Sequence, residues 1–114
     1  MLSNKNRFHG LGSLNFVLRR GSQVRSKNCA LKYSVNNKRK DFRLSVVVSK
    51  KVDKSAVVRN KIRRRVYEVV REQTDNIDKP YDLAIIVYSD MLAANNYADL
   101  QKEIVGLLKK AEIL

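Results

Sequence analysis

The run Asp82-Leu83-Ala84-Ile85-Ile86-Val87-Tyr88 constrains this chain most. Its apolar residues are nearly continuous rather than alternating, which predicts a central strand covered on both faces. Such a strand needs neighbours, and the chain supplies two candidates. Cys29, Leu31, Tyr33 and Val35 alternate with Asn28, Ala30, Lys32 and Ser34; Phe42, Leu44, Val46 and Val48 alternate with Arg43, Ser45, Val47 and Ser49. Period two predicts strands over 29–35 and 42–48, each with one buried face. The polar segment 36–41 between them reads as a hairpin loop.

Helical periodicity fills the rest. Val58, Ile62, Val66, Val69 and Val70 fall on one stripe at about 100° per residue, so a helix is expected over 54–73 with Asp53 or Ser55 as cap. A second amphipathic helix is expected over 97–111, with Leu100, Ile104, Leu107 and Leu108 inward. A short helix over 13–20 has Ser13 as N-cap and Gly21 as stop, with Arg19 and Arg20 in its last turn. The order α-β-β-α-β-α describes a two-layer α+β sandwich, one domain spanning 1–114. The strand–helix–strand unit around 42–88 could be a parallel crossover, whose hand the residues leave open.

Charge supplies the functional signal. The net charge is +13, and it is unevenly spread: residues 1–75 carry 20 basic and 5 acidic side chains, residues 76–114 carry 4 and 6. A field of that strength holds a polyanion near the surface and makes affinity depend on salt. Charge that served solubility alone would be spread more evenly. A hydrophobic fraction of 44% sets the chain apart from a disordered basic tail. Cys29 is alone, so neither an internal disulfide nor a cysteine zinc cage can form, which suits a reducing compartment. The first ten residues hold no apolar signal-peptide core, and no apolar run approaches the roughly 20 residues of a membrane span. A soluble, cytoplasmic protein without a membrane partner is expected.

The cations concentrate in Ser49-Lys50-Lys51 and in Arg59-Asn60-Lys61-Ile62-Arg63-Arg64-Arg65. On a helix Arg59 faces Arg63 and Lys61 faces Arg65, and like charges at i and i+4 repel. Glu68 and Glu72 come later and give little relief. Phosphates would turn that repulsion into shared attraction, and arginine grips phosphate bidentately. Asn60 adds a donor and an acceptor for a sugar hydroxyl or a base edge. The expected RNA-binding residues are therefore Lys50, Lys51, Arg59, Asn60, Lys61, Arg63, Arg64 and Arg65. The plainer alternative is a solvated helix face that happens to be basic.

Val58-Arg59-Asn60-Lys61-Ile62-Arg63-Arg64, following Val48-Ser49-Lys50-Lys51, resembles the RNR helix of the protein subunit of bacterial ribonuclease P. Asn6-Arg7, Gly21 and Arg43 extend the resemblance over nearly the whole chain. The usual motif is R-N-R-x-K-R, so Lys61 stands for an arginine and Arg63 for a lysine, both keeping charge. The resemblance implies an α/β sandwich with a left-handed βαβ crossover, a hand that runs against the general rule. It also implies a protein that binds ribonuclease P RNA and the 5′ leader of precursor tRNA. In that family the RNA, with bound magnesium, hydrolyses the phosphodiester; the protein itself holds no cofactor. Members line a leader cleft with aromatic residues, where this chain has Leu14, Leu18 and Lys32. Phe8, Phe16 and Tyr33 are neighbouring candidates, although a one-residue slip changes faces. The plainer reading, and the favoured one, takes Leu14 and Leu18 as core residues. Ser45 stands where the family usually has glycine, with no function attached.

No constellation in the chain reads as catalytic. A metal-dependent nuclease needs clustered carboxylates, and Asp75, Asp78, Asp82 and Asp90 fall on turns and strand ends. His9 stands alone in a polar segment, without the positioned partner that acid–base work requires. The protein alone is thus expected to be inactive, with no metal site. A ribosomal-type RNA scaffold protein is the nearest alternative. A DNA-binding module is disfavoured, because helix–turn–helix spacing and zinc ligands are absent.

Overall fold

A computed structural model describes residues 4–8 and 12–114. Its principal elements are α1 (Gly12–Arg20), β1 (Ser22–Arg25), β2 (Cys29–Val35), β3 (Arg43–Val47), α2 (Ala56–Glu72), β4 (Tyr81–Val87) and α3 (Tyr97–Lys110). Short 3-10 turns occur at Asn4–Asn6, Thr74–Asn76 and Asp90–Ala93. The expected α+β sandwich and its six elements are present, joined by one further strand, β1.

The continuous apolar run forms β4, which lies inside a sheet of order β1-β2-β4-β3. It pairs antiparallel with β2 and parallel with β3. The 42–88 unit is therefore a parallel crossover through α2. The segment 36–41 does not close a hairpin, because β2 and β3 are not neighbours. β4 satisfies the backbone of both, and its side chains can be buried above and below.

Both faces of β4 are covered, as its composition requires. Leu83, Ile85 and Val87 join Cys29, Leu31, Leu44 and Val46 on one face. Against them pack Ile62, Val66, Val69 and Val70 of α2 and Leu100, Ile104, Leu107 and Leu108 of α3, all buried. Ala30 and Ala84 point the other way, where α1 lies with Val17 fully buried. The first helix thus sits across the sheet from the other two. It begins at Gly12, so Ser13 lies in its first turn and does not cap it.

β1 escapes sequence reading because Val24 alone of its four residues packs on the core; it is an edge strand held by pairing to β2. Gly21 makes the approach possible. A Cβ there would stand 2.6 Å from the Val17 carbonyl oxygen and 3.0 Å from that of Tyr33, too close for any side chain. At the start of α2 the cap is Ser55, whose Oγ accepts from the Val58 N–H at 3.3 Å. Asp53 stands two residues earlier, its Oδ1 accepting from the Ser55 N–H at 2.8 Å.

Two polar clusters tie the layers together. In the first, Arg43 and Asp82 form a buried bidentate pair, Nε to Oδ1 and Nη2 to Oδ2, each 2.9 Å. Asn36 also donates to Asp82, at 3.2 Å. In the second, Glu103 of α3 holds the β1–β2 turn: Ser26 Oγ donates to Oε2 at 2.5 Å, Asn28 N–H to Oε2 at 2.9 Å and Asn28 Nδ2 to Oε1 at 2.8 Å. Burial alone pushes the Glu103 pKa up, but the hydrogen bonds from Ser26, Asn28 and Cys29 outweigh it and leave the carboxyl below its ordinary value. Beside it, burial pushes the Cys29 thiol up to about 12, making it a poor nucleophile.

A depressed folded pKa contributes stability that is present above the unfolded value and lost as pH falls through the folded one. The melting temperature should therefore drop more on acidification below about pH 4 in the native protein than in Glu103→Gln. Thermal unfolding followed by circular dichroism across that range checks this; parallel curves for the two proteins would exclude Glu103 as the source.

Candidate nucleic-acid interface

The stripe that buries Ile62 and Val66 turns the opposite side of α2 outward. The first turn of α2 contains no acid, so the positive end of the helix dipole adds to its cations rather than being offset. Its acids, Glu68 and Glu72, come in the last turns, where Glu68 accepts from Arg71 and Glu72 from the Tyr97 hydroxyl. The N-terminal half is left with a net positive face.

The expected RNA-binding residues divide by what their side chains already hold. Lys50 and Lys51 are exposed in the turn before α2, and Asn60, Lys61 and Arg64 are exposed on the helix. Among the described residues, Lys61 and Arg64 carry no hydrogen bond or ion pair. Arg63 is half-buried and donates to the Asn60 side-chain oxygen. Arg59 Nη1 donates to the carbonyls of Asp53 and Lys54, both at 2.9 Å, and so steadies the loop that carries Lys50 and Lys51.

Arg65 points elsewhere. Its guanidinium donates to the Leu92 and Asn95 carbonyls, both at 2.6 Å, and to Asn95 Oδ1 at 3.2 Å. It fastens α2 to the segment before α3. One residue beyond Arg64 is about 100° around a helix, enough to leave the outward face.

Next to the basic face lies a hollow of about 410 Å³ between the N-terminal segment, β3 and α2. Arg7, Phe8, Ser45, Asn60, Arg63, Arg64 and Tyr67 line it. The Arg7 guanidinium carbon is 6.0 Å from the Tyr67 ring centroid, and that of Arg43 is 4.5 Å from the Phe8 ring. Tyr67 follows Asn60, Arg63 and Arg64 at helical spacing; that periodicity was the signal that could have added it to the site. Arg7 carried no such signal, because tertiary folding alone brings it there.

A second groove, about 540 Å³, runs between α1 and the end of β2. Phe16 lines it and is 55% exposed, so an aromatic surface is open to a ligand there. Leu14 and Leu18 are half-buried on α1. Lys32 faces α1, but its Nζ donates to the Leu18 carbonyl at 2.6 Å. Tyr33 is excluded from this groove. It sits on the opposite face of the sheet, packed against the α2–α3 core, because adjacent strand residues point to opposite sides. Phe8 lies beside the α2 hollow rather than in this groove. His9 falls outside the described residues.

Among the described residues, no group of three or more histidine, cysteine, aspartate or glutamate side chains could hold a metal ion. None of the described helices is long and apolar enough to cross a membrane.

Comparison with known proteins gives this arrangement its context. The family profile described as Ribonuclease P matches residues 2–112. A ribonuclease P protein component from Clostridium botulinum is 40% identical over 98 residues, covering 85% of this chain and 86% of the relative. One from Pseudanabaena is 28% identical over 114 residues, covering 100% of this chain and 97% of the relative. The solved structure of a Staphylococcus aureus RNase P protein mutant shares the fold, with a TM-score of 0.85 at 24% identity, covering 96% of this chain and 90% of that one. With its profile matched almost end to end, the chain belongs to the ribonuclease P protein family.

Proposed function

We propose that this chain binds ribonuclease P RNA through the N-terminal half of α2 and assists endonucleolytic removal of the 5′ leader from precursor tRNA. The observation that carries the reading is the unneutralised cationic face of α2 in a chain of this family. Lys50, Lys51, Lys61, Arg63 and Arg64 offer phosphate contacts, Arg59 steadies the loop before them, and Asn60 offers a polar edge. Arg65 contributes by holding α2 in place.

The leader is proposed to run along the groove beside α1, where Phe16 can stack on an unpaired base. Leu14 and Leu18 are half-buried on the same helix, and the Lys32 ammonium is engaged by α1, so the groove offers fewer rings than family members typically do. Phosphodiester hydrolysis belongs in this reading to the RNA partner with its magnesium. This chain's part is to bind and orient, in the cytoplasm, and no proton or bond passes through its side chains.

Reconstitution tests the proposal. Cleavage of precursor tRNA by a bacterial ribonuclease P RNA at low magnesium should be stimulated by this protein, at the mature 5′ end, with no cleavage by protein alone. Tight RNA binding without stimulation of the cognate RNA would instead favour a scaffold role.

A further inference from the structure

We infer that the hollow between the N-terminal segment, β3 and α2 takes one unpaired nucleotide of an RNA, its base stacked on Tyr67 and its phosphate held by Arg63 and Arg64. The inference rests on the reading of α2 as an RNA-binding face and adds what that face selects. A solvated basic surface needs no cavity, yet here about 410 Å³ lies behind the arginines, a volume in the range of small-ligand sites.

The lining suits a base. Arg7 stands over the Tyr67 ring at 6.0 Å, too far for direct stacking contact. Stacked bases repeat at about 3.4 Å, so a base sandwiched between two planes needs about 6.8 Å, a shift of under about 1 Å for Arg7. Unpaired RNA bases are commonly held between aromatic rings and guanidinium planes in this way. Arg7 Nε is buried and has no hydrogen-bond partner, an orphaned donor at the edge of the cavity. Such groups are uncommon in folded proteins, and a ligand oxygen would satisfy this one.

Asn60 Oδ1 is occupied by Arg63, which leaves its amide N–H groups to donate to the edge of a base. Phe8 closes the far side, held by Arg43, which is itself locked to Asp82. The cavity wall is thus braced before any RNA arrives. A paired base cannot enter, since it would have to leave its helix; the site discriminates unpaired from duplex RNA.

The test uses the full chain and two RNA hairpins, one fully paired and one carrying a single bulged 2-aminopurine. The protein should bind the bulged hairpin about tenfold more tightly, the order expected for one stacked base, and quench its fluorescence. Tyr67→Leu and Arg7→Leu should each erase the preference, Tyr67→Phe should keep it, and Tyr67→Leu should leave the salt slope unchanged. Equal affinity of the native protein for both hairpins would overturn the inference. So would a preference that survives both leucine variants.

Two further arms identify the source of the nucleotide. Weaker binding of Tyr67→Leu to ribonuclease P RNA alone would assign it to that RNA. A loss seen only in the holoenzyme's preference for leader-bearing over leaderless precursor would assign it to the leader. Arg64→Ala keeps the two readings apart. If it weakens binding to both hairpins while Tyr67→Leu does nothing, the pocket fails and the α2 face stands. If Arg64→Ala also does nothing, the α2 face fails.

Discussion

Arg43→Ala should cost the fold about 3–5 kcal/mol, as much as emptying a site in the apolar core. For a domain of this size that lowers the melting temperature by roughly 10–20 °C, against a total stability of about 5–15 kcal/mol. The reason is what remains rather than what is lost. Asp82 is 3% exposed at its side chain, and without Arg43 its charge would stay buried with Asn36 as its remaining described partner. The Phe8 ring would also lose the guanidinium it rests on. Arg43→Met combined with Asp82→Leu removes both charges at similar volume and should recover much of the loss, since apolar replacement of a buried pair is often neutral or better. Thermal or urea unfolding of the three proteins decides this. A drop of less than about 3 °C for Arg43→Ala would mean that the pair is worth no more than a solvated one.

Lys61→Ala combined with Arg64→Ala should weaken binding to ribonuclease P RNA roughly 10–100-fold at low salt while leaving the melting temperature nearly unchanged. Each side chain is exposed and holds no partner within the described protein, so its contacts are available to phosphate, and a charge pair at such a solvated surface contributes about 1 kcal/mol. The slope of log affinity against log salt should become shallower by about two units. Arg65→Ala provides the contrast. It should lower the melting temperature, because the Leu92 and Asn95 carbonyls lose their donor, and leave the salt slope as it was. Binding isotherms at several salt concentrations separate the two. A slope that moves with Arg65 and not with Lys61 and Arg64 would reverse the assignment.

These contrasts depend on distinctions that the sequence supports only in part. Seven adjacent positions from Arg59 to Arg65 announce a polyanion partner through composition alone. Which of them face outward follows from the helix phase, set by Ile62 and Val66. That Arg59 and Arg65 spend their guanidinium groups on backbone carbonyls is decided by loops that come near only in the folded chain. The hollow itself was invisible, because Arg7 and Tyr67 are far apart in sequence and meet through the bridge that lays Arg7 beside Leu44.

Periodicity determined the element types, since a buried strand or helix face repeats its apolar residues locally, every second or every third to fourth position. The valine stripe of α2, the alternation of β2 and β3 and the continuous run of β4 were legible for that reason. Strand order was not. The segment 36–41 is polar and short, as a hairpin loop would be, yet β4 inserts between β2 and β3 because an interior place satisfies both its edges and buries both its faces. The same holds for β1, one apolar residue long in its burial, and for Tyr33, which faces the core while Lys32 faces α1. Local pattern specifies what each segment buries; only the assembled sheet specifies against what, because pairing and face are properties of the neighbour as much as of the segment.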